Sequence, residues 1–121
     1  MMTRGSDYAS MIRGSAFMNK KVRNMENENV GKIEDLMIDA ADGRIVYAVL
    51  SFGGFLGMGQ KLFALPWASL SFDATKDEFI LNVDKDRLKD APGFDKTDWP
   101  NMSEPRWHNE IKSHYGHPGL H

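Results

Sequence analysis

One segment constrains this chain more than any other. Between Arg44 and Phe52, the residues Val46, Ala48, Leu50 and Phe52 fall on one face of an extended strand, and Ile45, Tyr47 and Val49 fall on the other. A strand that is apolar on both faces must be covered on both sides, or leave one face in an interface. Its borders are sharp. Before it, Asp39-Ala40-Ala41-Asp42-Gly43 reads as a tight hairpin, because Asp and Gly supply turn conformations that other residues resist. After it, Gly53-Gly54-Phe55-Leu56-Gly57-Met58-Gly59 forms a loop with four glycines and three large apolar side chains. Glycine serves where φ is positive or another backbone comes close, so this loop is expected to hold a defined shape. Phe55, Leu56 and Met58 are costly in water, which implies that something covers them.

Short strands punctuated by turns continue on either side. Lys20 to Arg23 is a candidate strand, Asn24 to Asn29 a polar connection, and Val30 to Ile38 a longer strand. Lys61 to Leu65 runs into Pro66-Trp67, Ser69 to Phe72 follows, and Ala74 to Asp77 makes the next turn. In Glu78 to Val83 the residues Phe79, Leu81 and Val83 alternate with Glu78, Ile80 and Asn82. This spacing predicts a mainly β fold, a small antiparallel β-barrel whose closure would remove exposed strand edges. After Val83 the period changes. Asp84 to Asp90 suits one or two helical turns stopped by Pro92-Gly93, and Ser103 is expected to cap a second helix. Trp107, Ile111 and Tyr115 recur along that helix at four-residue spacing, as one narrow apolar stripe. The expected organisation is a flexible N-terminal arm over 1–16, a β domain over 17–90, and a C-terminal strap with a short helix over 91–121.

With 121 residues the core is modest, and oligomerisation would help it. A net charge of -2 and a pI near 6.0 count against a nucleic-acid partner, and Lys20-Lys21-Val22-Arg23 is too short to make a basic patch. Cysteine is absent, which removes disulfides, thiol nucleophiles and thiolate metal sites. The start, Met1 to Phe17, lacks the continuous apolar stretch of a secretory signal. No run approaches the roughly 20 apolar residues that span a bilayer. No membrane insertion is expected, and the expected address is the cytoplasm.

Each candidate site has a plain alternative. The glycine loop lies between two strands, without the following helix that a phosphate cradle needs; a loop folded over the barrel end, or a surface for self-association or a partner, fits it better. Glu34, Asp35 and Asp39 fall close together, but a strand edge and a hairpin turn explain them without acid–base catalysis. His108, His114, His117 and His121 cluster near the end, and the spacing of His114 and His117 could hold zinc or nickel, although no further ligand completes a shell. No cofactor and no functional metal site are expected. Trp67, Trp99 and Trp107 are too bulky to leave in water; Trp99-Pro100 and the Trp107/Ile111/Tyr115 stripe would form a strap across the same barrel or across a neighbouring subunit.

Three separated runs carry a family resemblance: Gly31 to Asp39, Gly43 to Gly57, and Lys61 to Trp67. Together they resemble the PRC-barrel domain, which occurs in the cytoplasmic part of the photosynthetic reaction-centre H subunit, in a ribosome-maturation factor, and in small stand-alone bacterial proteins. The tail, with Asp90 to Asp95, Trp99-Pro100 and Trp107 through Gly116, is most similar to the stand-alone members. The resemblance covers roughly residues 10–116. It implies a small β-barrel used as an adaptor or assembly module, and no enzyme. The membrane helix of the H subunit and the extra N-terminal domain of the ribosome factor are not expected here. The preferred reading is a homo-oligomer, dimer or larger, that acts by protein–protein contact and accepts a protein partner not named by the sequence. Its expected contact surface is Phe52, Gly53, Gly54, Phe55, Leu56, Gly57 and Met58, with Trp67, Trp99 and Trp107. The alternative is an RNA-processing or ribosome-associated accessory factor, and a third reading is a small-ligand or metal-binding protein.

Overall fold

The Asp39–Gly43 turn forms as its residues demand. The Gly43 amide donates to the Asp39 carbonyl at 2.7 Å, and the Ala41 amide donates to the Asp39 side chain at 2.9 Å. Gly43 takes φ +77°, which L side chains resist. In the computed structural model, which describes residues 11–53 and 60–116, this turn joins the two longest strands. They are β2 (Asn29–Asp39) and β3 (Arg44–Gly53). The other strands are β1 (Lys21–Asn24), β4 (Gln60–Pro66), β5 (Leu70–Asp73), β6 (Glu78–Leu81) and β7 (Gly93–Asp95). Short 3-10 turns cover Gly14–Phe17 and Trp67–Ser69, and two helices follow, α1 (Lys85–Lys89) and α2 (Pro105–Tyr115). Asp84 caps α1 by accepting from the Arg87 amide at 2.8 Å.

Among the described residues, the seven strands belong to one sheet, in the order β5-β6-β1-β2-β3-β4-β7. Two expectations need correction. The sheet is open, ending at β5 and β7, and β1 pairs with β6 in parallel. The reason for the first lies in the tail. β7 takes the second edge of β4, pairing Phe94 with Leu62 and Gly93 with Phe63, so β5 does not close onto it. The Pro92-Gly93 pair does stop the helical turn, but it leads directly into this short strand, which the sequence pattern did not reveal. The second helix also departs from expectation. Glu104, and not Ser103, stands at its N-cap, with Pro105 opening the helix, where its missing amide hydrogen costs nothing. Among the described residues, no helix is long and apolar enough to cross a membrane.

The two-faced reading of β3 holds. Tyr47, Ala48, Val49 and Leu50 are all buried, as are Leu62 to Leu65 on β4. The core around them takes in Val22, Val30, Ile33, Phe79 and Leu81 from the strands, and Leu88, Ile111 and Tyr115 from the helices. Near the Trp67–Ser69 turn, Phe79 is the hub of an aromatic cluster, with ring centroids 4.9 Å from Phe17, 5.1 Å from Phe72 and 5.9 Å from Trp67. Arg23 on β1 fastens the β5–β6 hairpin from outside, donating to Asp73 at 2.8 Å and Glu78 at 2.9 Å.

Bulges bend the longest hairpin. The β2–β3 register shifts between Ile33 and Asp35 and again between Met37 and Ile38, and each added residue increases the local twist. Gly31 sits where β2 crosses both neighbours. Its φ is +132°, and a Cβ there would lie 2.1 Å from the Ser51 carbonyl oxygen. Gly31→Ala is therefore expected to destabilise the fold by roughly 3 kcal/mol or more. Gly43→Ala, where nothing lies within 4 Å, should cost only about 1 kcal/mol through backbone strain. Urea unfolding of both variants measures the difference, and equal losses would show that the Ser51 contact relaxes at little cost.

Candidate binding cleft beside the C-terminal helix

The strap reaches the sheet through aromatic contacts. Phe94 of β7 lies against Trp99 at 5.1 Å and Trp107 at 6.1 Å between ring centroids. The Trp99 indole donates to the Lys96 carbonyl at 2.8 Å. Downstream, α2 packs on β4 and buries Ile111 and Tyr115, while Trp107 is half-buried against the same core. Two further ties hold the helix. His114 Nε2 is 2.7 Å from the Arg87 carbonyl, and the Arg87 guanidinium donates to the His114 and Tyr115 carbonyls at 3.3 and 3.4 Å. His108 Nδ1 is 2.5 Å from the Tyr47 hydroxyl.

Burial pushes the Tyr47 hydroxyl up to about 12, so the phenol stays neutral beside Nδ1. Beside this pair the α2 helix and the 100–103 segment stand off from the end of the β2–β3 hairpin. They leave an open cleft of about 740 Å³. Met37, Ile38 and Val46 line it from the hairpin, and Met102 from the strap. Arg44 and Lys112 also line it, as do Asp39 and the polar groups of Asn101, Ser103 and Asn109. Ile38 is 55% exposed, among the most exposed large apolar side chains described.

The expected site residues fare unevenly. Gly54, Phe55, Leu56, Gly57 and Met58 lie outside the described residues, as do His117 and His121. Phe52 is half-buried, its ring 6.1 Å from Phe63, and Gly53 ends β3. Trp67 packs into the aromatic cluster around Phe79, away from Trp99 and Trp107, which flank Phe94. The carboxylates are not brought together. Asp35 and Asp39 accept backbone amides at Leu36 and Ala41, and Glu34 lies 3.3 Å from Lys96. Among the described residues, no group of histidine and carboxylate side chains is placed to hold a metal ion.

The cleft itself escaped the sequence reading. Tyr47 was expected only as a face of the strand, and His108 only as one of four tail histidines. A signal was present, because His108 and Lys112 are four residues apart and so share a helix face beside the apolar stripe. What they would meet there was not readable.

Comparison with known proteins bears on the fold. A family model described as the PRC-barrel domain matches residues 10–88. No curated protein matches the chain. Among solved structures, the chain is similar to RimM from Pseudomonas aeruginosa, a candidate 16S ribosomal RNA processing protein, at 18% identity and a TM-score of 0.43. That match covers 70% of this chain and 50% of RimM, so the chain spans about half the length of that protein.

The Tyr47–His108 bond yields a direct check. Tyr47→Phe should cost about 1 kcal/mol and leave the fold intact. A second check uses pH. Burial raises the hydroxyl ionisation of both Tyr47 and Tyr115, so folding favours their neutral forms. Both contributions are complete below the ordinary value of 10.0; that of Tyr47 is lost as pH rises toward about 12, and that of Tyr115 at still higher pH. Absorbance at the phenolate band should therefore show these two tyrosines ionising together with loss of the fold. Early, fold-independent ionisation of both would contradict their burial.

Proposed function

The chain belongs to the PRC-barrel domain family, and on that footing we propose that it is a non-enzymatic docking module that works by protein–protein contact. The observation that carries this is the cleft. Apolar Ile38 stands open beside Met37, Val46 and Met102, and the polar groups around them form no catalytic set. The Tyr47 hydroxyl is occupied by His108, and Asp39 by its own turn. Self-association into a dimer or larger homo-oligomer belongs to the same proposal. Its support is the sequence of the glycine loop, whose Phe55, Leu56 and Met58 need cover. Phe52, Trp67, Trp99 and Trp107 stay in the proposed contact surface as the groups that border or brace it. The proposal places this work in the cytoplasm.

A ribosome-associated accessory role is the second reading, and the process named for the Pseudomonas protein belongs to it. The charge balance limits how it would operate. With a net charge of -2, and with Arg23, Lys20, Lys61 and Lys96 all paired to carboxylates, contact would run through protein rather than through exposed RNA.

Light scattering on the pure chain, with crosslinked affinity purification from the native host, tests both. A mass at a defined multiple of 13.7 kDa is expected, lowered by Phe55→Asp with Leu56→Asp at unchanged melting temperature. A partner recovered in fixed ratio, and lost with Ile38→Glu, would assign docking to the cleft; ribosomal proteins in that fraction would select the second reading. A monomer at all concentrations that recovers no partner would overturn the proposal.

A further inference from the structure

The cleft has a chemistry of its own, and it favours one kind of occupant. Its volume of about 740 Å³ falls in the range of about 300–1,000 Å³ typical of ligand sites. Its wall is apolar where Met37, Val46 and Met102 line it, and it also carries the cations Arg44 and Lys112. Four cations elsewhere on the surface are held by carboxylates: Arg23 by Asp73 and Glu78, Lys20 by Asp77, Lys61 by Asp95 and Lys96 by Glu34. No carboxylate among the described residues lies within ion-pair distance of Arg44 or Lys112. Asp39 also lines the cleft, but one of its oxygens is bound to the Ala41 amide in the hairpin turn. Two cations against one carboxylate leave the cleft with an excess of one positive charge on a chain whose net charge is -2.

We propose that this cleft binds an acidic, extended peptide segment of a partner protein. An apolar side chain of that segment rests on Met37, Val46 and Met102, and a neighbouring carboxylate lies between Arg44 and Lys112. The His108 imidazole, held through Nδ1 by Tyr47, adds a polar group to the lining. A nucleic acid fits less well. Single strands are gripped by exposed aromatic rings on which bases stack, and the aromatic ring in this lining, Tyr47, is buried. The inference rests on the docking function proposed above and adds to it the chemistry of the partner.

The test titrates the full-length, isotope-labelled chain with a short peptide of alternating aspartate and leucine. An asparagine-leucine analogue and an oligouridylate are run beside it. The acidic peptide is expected to shift the backbone amides of residues 37–47 and 100–112. Binding should weaken about tenfold with the asparagine analogue, and again with Arg44→Glu combined with Lys112→Glu. Both of these side chains are exposed, so the variant should melt like the parent. Equal binding of the two peptides, shifts confined to other residues, or stronger binding of the oligouridylate would each overturn the proposal. Partner recovery from the host separates this inference from the one beneath it. If charge reversal leaves a partner's recovery intact while Ile38→Glu abolishes it, docking stands and the acidic-segment inference falls.

Discussion

A strand that is apolar on both faces needs two covers, and much of this structure follows from supplying them to β3. Ala48, Val49 and Leu50 are fully buried, and Tyr47 nearly so. Val49 and Leu50 each gain about 1.5–3 kcal/mol when taken out of water. One cover is the shared interior of the sheet, where the core extends through Phe63, Leu65, Val22 and Phe79. The other comes from the C-terminal strap, whose helix α2 packs against β4 and bonds Tyr47 through His108. A sheet without the strap would present Tyr47 and its neighbours to solvent.

The strap also decides the shape of the sheet. β4 could have met β5 along its second edge, closing a ring of strands. Instead Lys61, Leu62 and Phe63 pair with Asp95, Phe94 and Gly93. Backbone groups of a buried edge must be satisfied by something, and here the tail satisfies them. The open order that results leaves β5 as the other end, held by its hairpin with β6 and by the ion pairs of Arg23. A short strand of three residues thus trades closure for a docked helix.

The cleft is a by-product of the same arrangement. The helix is pinned at its far end by His114 and Arg87 and near its start by the bond from Tyr47 to His108. Between that start and the bulged end of the β2–β3 hairpin the two surfaces diverge, because the register shift at Met37 and Ile38 bends the hairpin. Arg44 and Lys112 both line this gap, one from a strand and one from a helix.

Local chemistry made much of this legible in advance. The alternation in Arg44 to Phe52, the Asp and Gly of the hairpin, the helical turns after Asp84 and the stripe of Trp107, Ile111 and Tyr115 each encode their own structure, because they act over a few residues. Family membership was legible for the same reason, since ordered motifs sit on those elements. Three features depended on tertiary structure alone. The parallel pairing of β1 with β6 joins segments far apart in sequence, and no local pattern selects its direction. The β7 strand is only Gly93–Asp95, too short to show a period, and exists because β4 offers it an edge. The cleft joins Arg44 to Lys112 and Tyr47 to His108 across the fold. Apart from β7, the sequence determined which segments would be strands and helices. Packing decided which of them would meet, because that choice depends on distant surfaces that each need burial.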